Sequence, residues 1–121
     1  MSNELTISLS LGCANGNYKP PVAYESGNFN QSVIGASEGV LNCTTSAAAI
    51  PLSSVATLGY AMLKNLDLTN NIDVGLTSGS FIAFQTLKPG EFSVFRFKAG
   101  TTPQAVAAAG TPKLQYWILN D

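Results

Sequence analysis

Phe81-Ile82-Ala83-Phe84-Gln85-Thr86-Leu87, then Lys88-Pro89-Gly90-Glu91, then Phe92-Ser93-Val94-Phe95-Arg96-Phe97-Lys98-Ala99 read as two strands joined by a turn. The flanking runs are rich in aromatic and β-branched side chains and have the length of an ordinary strand. Between them, Pro89 presets the backbone at the second turn position and Gly90 accepts positive φ at the third, the requirement of a type II turn. Outward from this unit the same pattern repeats. Residues 60–66, 72–76 and 113–120 have strand composition, and the turn signals at 77–80 and 68–71 predict two further hairpins. Residues 40–45 read as a strand, and 47–52 approach the next through Pro51, which suits a sheet edge; an Ala-rich helix there would be too short to hold. The segment 100–112 reads as a long loop with room for one helical turn around Ala105 to Ala109.

At the other end, Leu5, Ile7, Leu9 and Leu11 alternate with Thr6, Ser8 and Ser10, which predicts a half-buried strand over 4–11. Residues 12–39 change character, because Asn15-Gly16-Asn17, Pro20-Pro21, Ser26-Gly27-Asn28 and Gly35 interrupt any long element. They predict a loop-rich connection in which only 29–34 can hold a short strand. About eight short strands with no amphipathic helix predict an all-β fold, a single antiparallel β-sandwich or jelly-roll-like domain over 1–121. Several late strands are apolar on both faces, with Phe95 and Phe97 on one side and Phe92 and Val94 on the other. One face is then core, and the other meets a second layer or a neighbouring subunit.

Composition narrows the functions. Of 121 residues, 45% are hydrophobic and 11% charged, less than half the usual charge, with six Lys and Arg, seven Asp and Glu, no His and a net charge of −1. Without His there is no Ser-His-Asp or Cys-His catalysis and no imidazole metal ligand, so an enzyme would be a small hydrolase working through carboxylates alone; none of the seven acids sits in a discernible constellation, and the chain reads as non-enzymatic and without cofactor. The charge balance gives no footprint for duplex nucleic acid. The opening Met1-Ser2-Asn3-Glu4 lacks a basic signal region, and no run approaches the roughly 20 apolar residues of a membrane span. Cys13 and Cys43 read as reduced thiols of a protein made in the cytosol.

Four patterns could carry chemistry, and each has a plainer reading. Gly35-Ala36-Ser37-Glu38-Gly39 matches the nucleophile-elbow pattern but has no His to activate Ser37, so a flexible turn is expected. Asp67, Asn70, Asn71 and Asp73 crowd oxygen ligands without the order of a calcium loop and read as turn formers. Phe92, Phe95, Arg96, Phe97 and Lys98 interleave rings with cations, as single-strand binders do, but alternate rings on a strand usually face a core; Arg96 and Lys98 then pair with Glu91 or with a neighbour's acid. Trp117, Tyr116, Tyr60 and Tyr24 form either core or a sugar-stacking platform, with core the expectation. Asn30-Gln31-Ser32 and Asn42-Cys43-Thr44 are glycosylation sequons by pattern alone.

Gly59-Tyr60-Ala61-Met62-Leu63-Lys64-Asn65-Leu66-Asp67, with Thr69-Asn70, 72–75, Phe81, Leu87-Lys88-Pro89-Gly90-Glu91 and the closing Leu114-Gln115-Tyr116-Trp117-Ile118-Leu119, resembles a family of small virion structural proteins of tailed bacteriophages. The specific part of the likeness lies between Gly59 and Glu91. The resemblance implies a β-sandwich part of the particle: a capsid decoration or cement protein on the capsid surface, made in the host bacterial cytoplasm, forming a homo-oligomer with a trimer favoured, and binding the major capsid protein. A tail, neck or baseplate component and a lectin-like carbohydrate-binding module are the alternatives. The candidate interface residues are Tyr24, Phe29, Phe92, Arg96 and Trp117, with the N-terminal arm and residues 12–39 reaching across subunits. The low charge agrees with a surface made to be covered, and places Lys64, Asp67, Asp73, Glu91 and Arg96 in partner-facing pairs or at an interface rim.

Overall fold

The computed structural model describes residues 4–121; the first three residues of the expected 1–121 domain, with the Met1-Ser2-Asn3 start, lie outside that range. The described residues form ten strands and no helix: β1 (Leu5–Leu11), β2 (Ala23–Phe29), β3 (Ala36–Asn42), β4 (Ala48–Ala49), β5 (Leu58–Asn65), β6 (Ile72–Ser78), β7 (Ser80–Leu87), β8 (Phe92–Arg96), β9 (Gln104–Ala107) and β10 (Lys113–Asn120). They divide into two compact units, residues 4–32 and Val33–Asp121.

The smaller unit is an antiparallel hairpin. Its register runs from Leu5 opposite Phe29 to Leu11 opposite Ala23. The alternation in β1 therefore puts Leu5, Ile7, Leu9 and Leu11 on one face, with Phe29 across from Leu5. The 12–39 segment is thus not the connection its turn residues predict: it contains all of β2 and the first half of β3. The reason is visible at two glycines. A Cβ on Gly27 would lie 3.0 Å from the Phe29 ring, and one on Gly39 would lie 2.9 Å from the Tyr116 hydroxyl. Each glycine makes room for a ring lying over the strand, and neither turns the chain.

The larger unit holds two four-stranded antiparallel sheets, β3-β10-β5-β8 and β4-β9-β6-β7. Across the unit the pairs β6 with β7, β5 with β8, β4 with β9 and β3 with β10 nest one inside the next. This is one long antiparallel ribbon folded in half and rolled, the eight-strand jelly roll. Its consequence for the expected hairpins is specific. Residues 77–80 do close a hairpin, β6 to β7, but 68–71 and 88–91 carry the chain from one sheet to the other. The 88–91 turn itself forms as read: Glu91 N donates to Lys88 O at 2.9 Å, and Gly90 has φ +79°. The 100–112 segment contains β9 where a loop was expected, whereas β4 lies at a sheet edge as Pro51 suggested.

The core lies between the two sheets. Ala61, Leu63, Leu114, Tyr116 and Ile118 from one meet Ile72, Val74, Leu87, Ala105 and Ala107 from the other, and Phe97 joins them. Register shifts between Val74 and Gly75, where β7 bulges. There the backbones approach so closely that a Cβ on Gly75 would sit 2.0 Å from Ile82 O. Two buried asparagines tie strand ends to loops. Asn65 Nδ2 donates to Asn70 O and Leu87 O, both at 2.9 Å, while its Oδ1 accepts from Asp67 N at 2.9 Å. Asn120 Oδ1 accepts from Thr57 N and Asp121 N, each at 3.1 Å. Among the described residues no buried side-chain polar atom lacks a hydrogen bond.

Candidate functional site

Strand alternation on the β3-β10-β5-β8 sheet turns Leu114, Tyr116 and Ile118 inward, so Gln115 and Trp117 must point out. Register then sets their neighbours. Trp117 lies between Glu38 on β3 and Met62 on β5, and Met62 is opposite Val94 on β8. One row along, Gln115 lies between Val40 and Lys64, and Lys64 is opposite Phe92. The outcome is an exposed apolar strip across the sheet: Trp117 is 48% and Phe92 65% exposed, with Met62 exposed on β5 between them and Val40 exposed on the edge strand β3. A shallow depression of about 230 Å³ lies over Trp117, Met62 and Val40, edged by Glu38 and Gln115. It is smaller than the roughly 300 to 1,000 Å³ of a small-molecule pocket.

The sequence-derived candidates separate between the units. Phe92, Arg96 and Trp117 share this outer face. Tyr24 and Phe29 belong to the hairpin and lie on its opposite faces, Tyr24 opposite Ser10 and Phe29 opposite Leu5. Of the four rings placed in the core by expectation, only Tyr116 is buried; Tyr24 and Trp117 are exposed, and Tyr60 is half-buried beneath Arg96. Phe95 and Phe97 stack edge to face at 4.7 Å on the inner side, as alternation predicted, so the run 92–98 presents one ring outward where a base-stacking surface would need several. Met62 and Val40 are the residues sequence reading missed. Their signal was the register with β10, Met62 beside Trp117 and Val40 beside Gln115, which no single-strand pattern contains.

Charge on this face is sparse, and Arg96 is the cation held by a partner. Arg96 Nη1 lies 3.0 Å from Asp121 Oδ1, correcting the expected pairing with Glu91, and its guanidinium centre lies 4.7 Å from the centre of the Tyr60 ring. The Asp121 hydrogen bond, with its charge, raises the Arg96 pKa above the ordinary arginine value. The pair is about two-fifths exposed, so it orients the side chain more than it stabilises the fold. Three acids expected at an interface have partners within the chain. Asp67 Oδ2 accepts from Asn70 N at 2.6 Å and Thr69 N at 3.1 Å; these bonds, Asn70 first, lower its pKa. Asp73 accepts from Thr86 Oγ1 at 2.7 Å, and Glu91 accepts from Lys88 N at 2.8 Å. Lys64 has no ion pair among the described residues.

The remaining motifs resolve locally. Ser37 stands in β3 rather than in a flexible turn, buried, with its hydroxyl donating to Pro51 O at 2.7 Å. A hydroxyl held this way has no base beside it and is out of reach of a substrate. Asp67 and its neighbours build a turn, as their composition indicated. Cys13 and Cys43 are both free thiols; Cys13 is exposed and Cys43 buried, and burial pushes the Cys43 thiol up to about 11. No protein-family model matches this chain, and no curated protein matches it significantly.

Proposed function

We propose that the chain is a non-enzymatic structural protein of a bacteriophage particle, a capsid decoration or cement protein that forms a homo-oligomer, a trimer being favoured, and binds the major capsid protein. The observation that carries this reading is the outward strip of Trp117, Met62, Val40 and Phe92 on a sheet whose other face is already core. Tryptophan and arginine anchors surrounded by polar groups are the side chains that dominate protein interfaces, and Arg96 and Gln115 border this strip. The likeness of 59–91 to phage virion proteins points the same way, and a small jelly roll with no assembled reactive group suits a part that works by fitting.

Light scattering on the purified chain, followed by co-sedimentation with capsids stripped of accessory proteins, tests the reading. The expected result is an oligomer that saturates a repeated capsid site. A chain that stays monomeric and ignores capsids removes it, and binding to isolated tails or baseplates instead of heads moves the placement within the particle. A lectin-like module is the second reading, favoured by Glu38 and Gln115 flanking an exposed Trp117. It requires signal on a glycan array that Trp117→Ala abolishes.

A further inference from the structure

The hairpin of residues 4–32 presents an uncovered apolar face. Leu9 is 43%, Leu11 75% and Phe29 40% exposed, while Ile7 is mostly covered and Leu5 is buried. A two-stranded hairpin is at best marginally stable in water and needs a third layer against its apolar side. Its seven register pairs make that side about 23 Å long. The surface that completes it must be apolar, about as long, and must accommodate Glu25, which lies opposite Leu9 within the apolar stripe.

The jelly roll offers two outer sheet faces, and charge separates them. On β4-β9-β6-β7 the only charged residue within the strands is Asp73, an acid. On β3-β10-β5-β8, Lys64 and Lys113 are exposed and have no ion pair among the described residues, and Arg96 is already held by Asp121. Glu38 is that face's one strand acid, and it lies on the edge strand β3, across β10 from Met62. The cations lie on the central strands β10 and β5, each eight residues long, beside the apolar strip.

We infer that the hairpin of one copy docks its Leu9, Leu11 and Phe29 face on the Trp117, Met62 and Phe92 strip of a second copy, with Glu25 set against Lys64. The inference rests on the reading of the chain as a self-assembling particle component and names the surfaces that assemble. Each copy then donates one arm and receives one, a head-to-tail contact that closes into a ring when the rotation permits.

Charge reversal in the full-length chain tests the contact. Glu25→Lys and Lys64→Glu are each expected to weaken self-association about tenfold, and the two together in one chain to bring it back within about threefold of the wild type. A double variant as weak as the sum of the singles overturns the pairing. Both positions are exposed, and circular dichroism verifies that the variants are folded. An independent readout uses a nitroxide on Cys13, beyond the end of β1; Cys43 is fully buried and stays unlabelled. Mixed with an isotope-labelled Cys13→Ser chain, the nitroxide should broaden the Met62 and Lys64 amides of the unlabelled-thiol partner. Broadening confined to other surfaces overturns the docking face. A wild-type chain that is monomeric at every concentration sinks both this contact and the assembly reading, whereas a stable oligomer indifferent to the reversals sinks the contact alone.

Discussion

The hairpin of residues 4–32 and the jelly roll of Val33–Asp121 are made from the same kind of strand, yet they differ in what covers them. In the hairpin, Leu5 is the one buried side chain among the described residues. In the jelly roll, fifteen side chains form a continuous core, and Leu63, Ile72, Val74, Leu114 and Ile118 are wholly removed from water. Alternation alone therefore gives a strand its two faces but supplies no stability until a second layer buries one of them. The difference assigns the roles: the jelly roll is a body with a core of its own and an exposed strip on its β3-β10-β5-β8 face, and the hairpin is an arm.

The sharpest way to break this contrast is inside the jelly roll. Gly75→Ala puts a Cβ 2.0 Å from Ile82 O at the β6–β7 bulge, where backbone rather than a flexible side chain must move. The expected cost exceeds about 4 kcal/mol, enough to abolish cooperative unfolding in a denaturant titration. A melting curve close to wild type would mean that the bulge is soft and the body not rigid there. Next in size is Asn65→Leu. It leaves Leu87 O, Asn70 O and Asp67 N without their partner, at an expected cost of about 2 to 4 kcal/mol read as a lower denaturant midpoint.

A pH titration sharpens the contrast through the thiol buried in the jelly roll. Burial raises Cys43 to about 11 in the folded chain, against about 8.5 when unfolded. Between those values the native state binds more protons, so stability is fully present below about pH 8.5 and is lost as the pH rises toward 11. Cys43→Ala should flatten that slope, whatever it does to absolute stability; a slope equal to the wild type's would contradict the assignment. The smallest effect belongs to the arm. Leu9→Ser is expected to shift jelly-roll unfolding by less than about 0.5 kcal/mol, with β1 and β2 amides exchanging quickly in the monomer before and after substitution. A loss comparable to that of Asn65→Leu would erase the distinction between body and arm.

The fold class was legible in the sequence because it rests on alternation and turn chemistry, both local. Residues 113–120 were delimited to the residue, and Lys88-Pro89-Gly90-Glu91 formed the turn its residues prescribe. The partnerships were not legible. Gly27 and Gly39 looked like breakers because the rings that fill their space, Phe29 and Tyr116, lie over the strand face, and in the second case the ring comes from 77 positions away. The hairpin expected at 68–71 became a crossover because this jelly roll sends β5 and β6 to opposite sheets, and a turn sequence records the bend and not the destination. At the candidate site, Phe92, Arg96 and Trp117 were found as individuals. Their assembly with Met62 and Val40 depends on the β3–β10–β5 register, and the Arg96–Asp121 pair on a β10 end that faces β8 from across β5.

The nested pairing of the jelly roll also sets the order in which it can form. The turn at Gly79 closes a loop of minimal length when β6 meets β7, and each later pair then adds only short extra segments, so the entropy of closure is spent in small instalments. β3 comes last, against β10, where Val33 N also reaches Asp121 O at 3.2 Å. Transition-state mapping should therefore find native contacts concentrated around β6 and β7 and nearly absent from β3; high values in β3 would reverse the order. The strand that joins last is the one that follows the arm in the chain, and the arm reaches its neighbour from the end of the molecule that finishes folding latest.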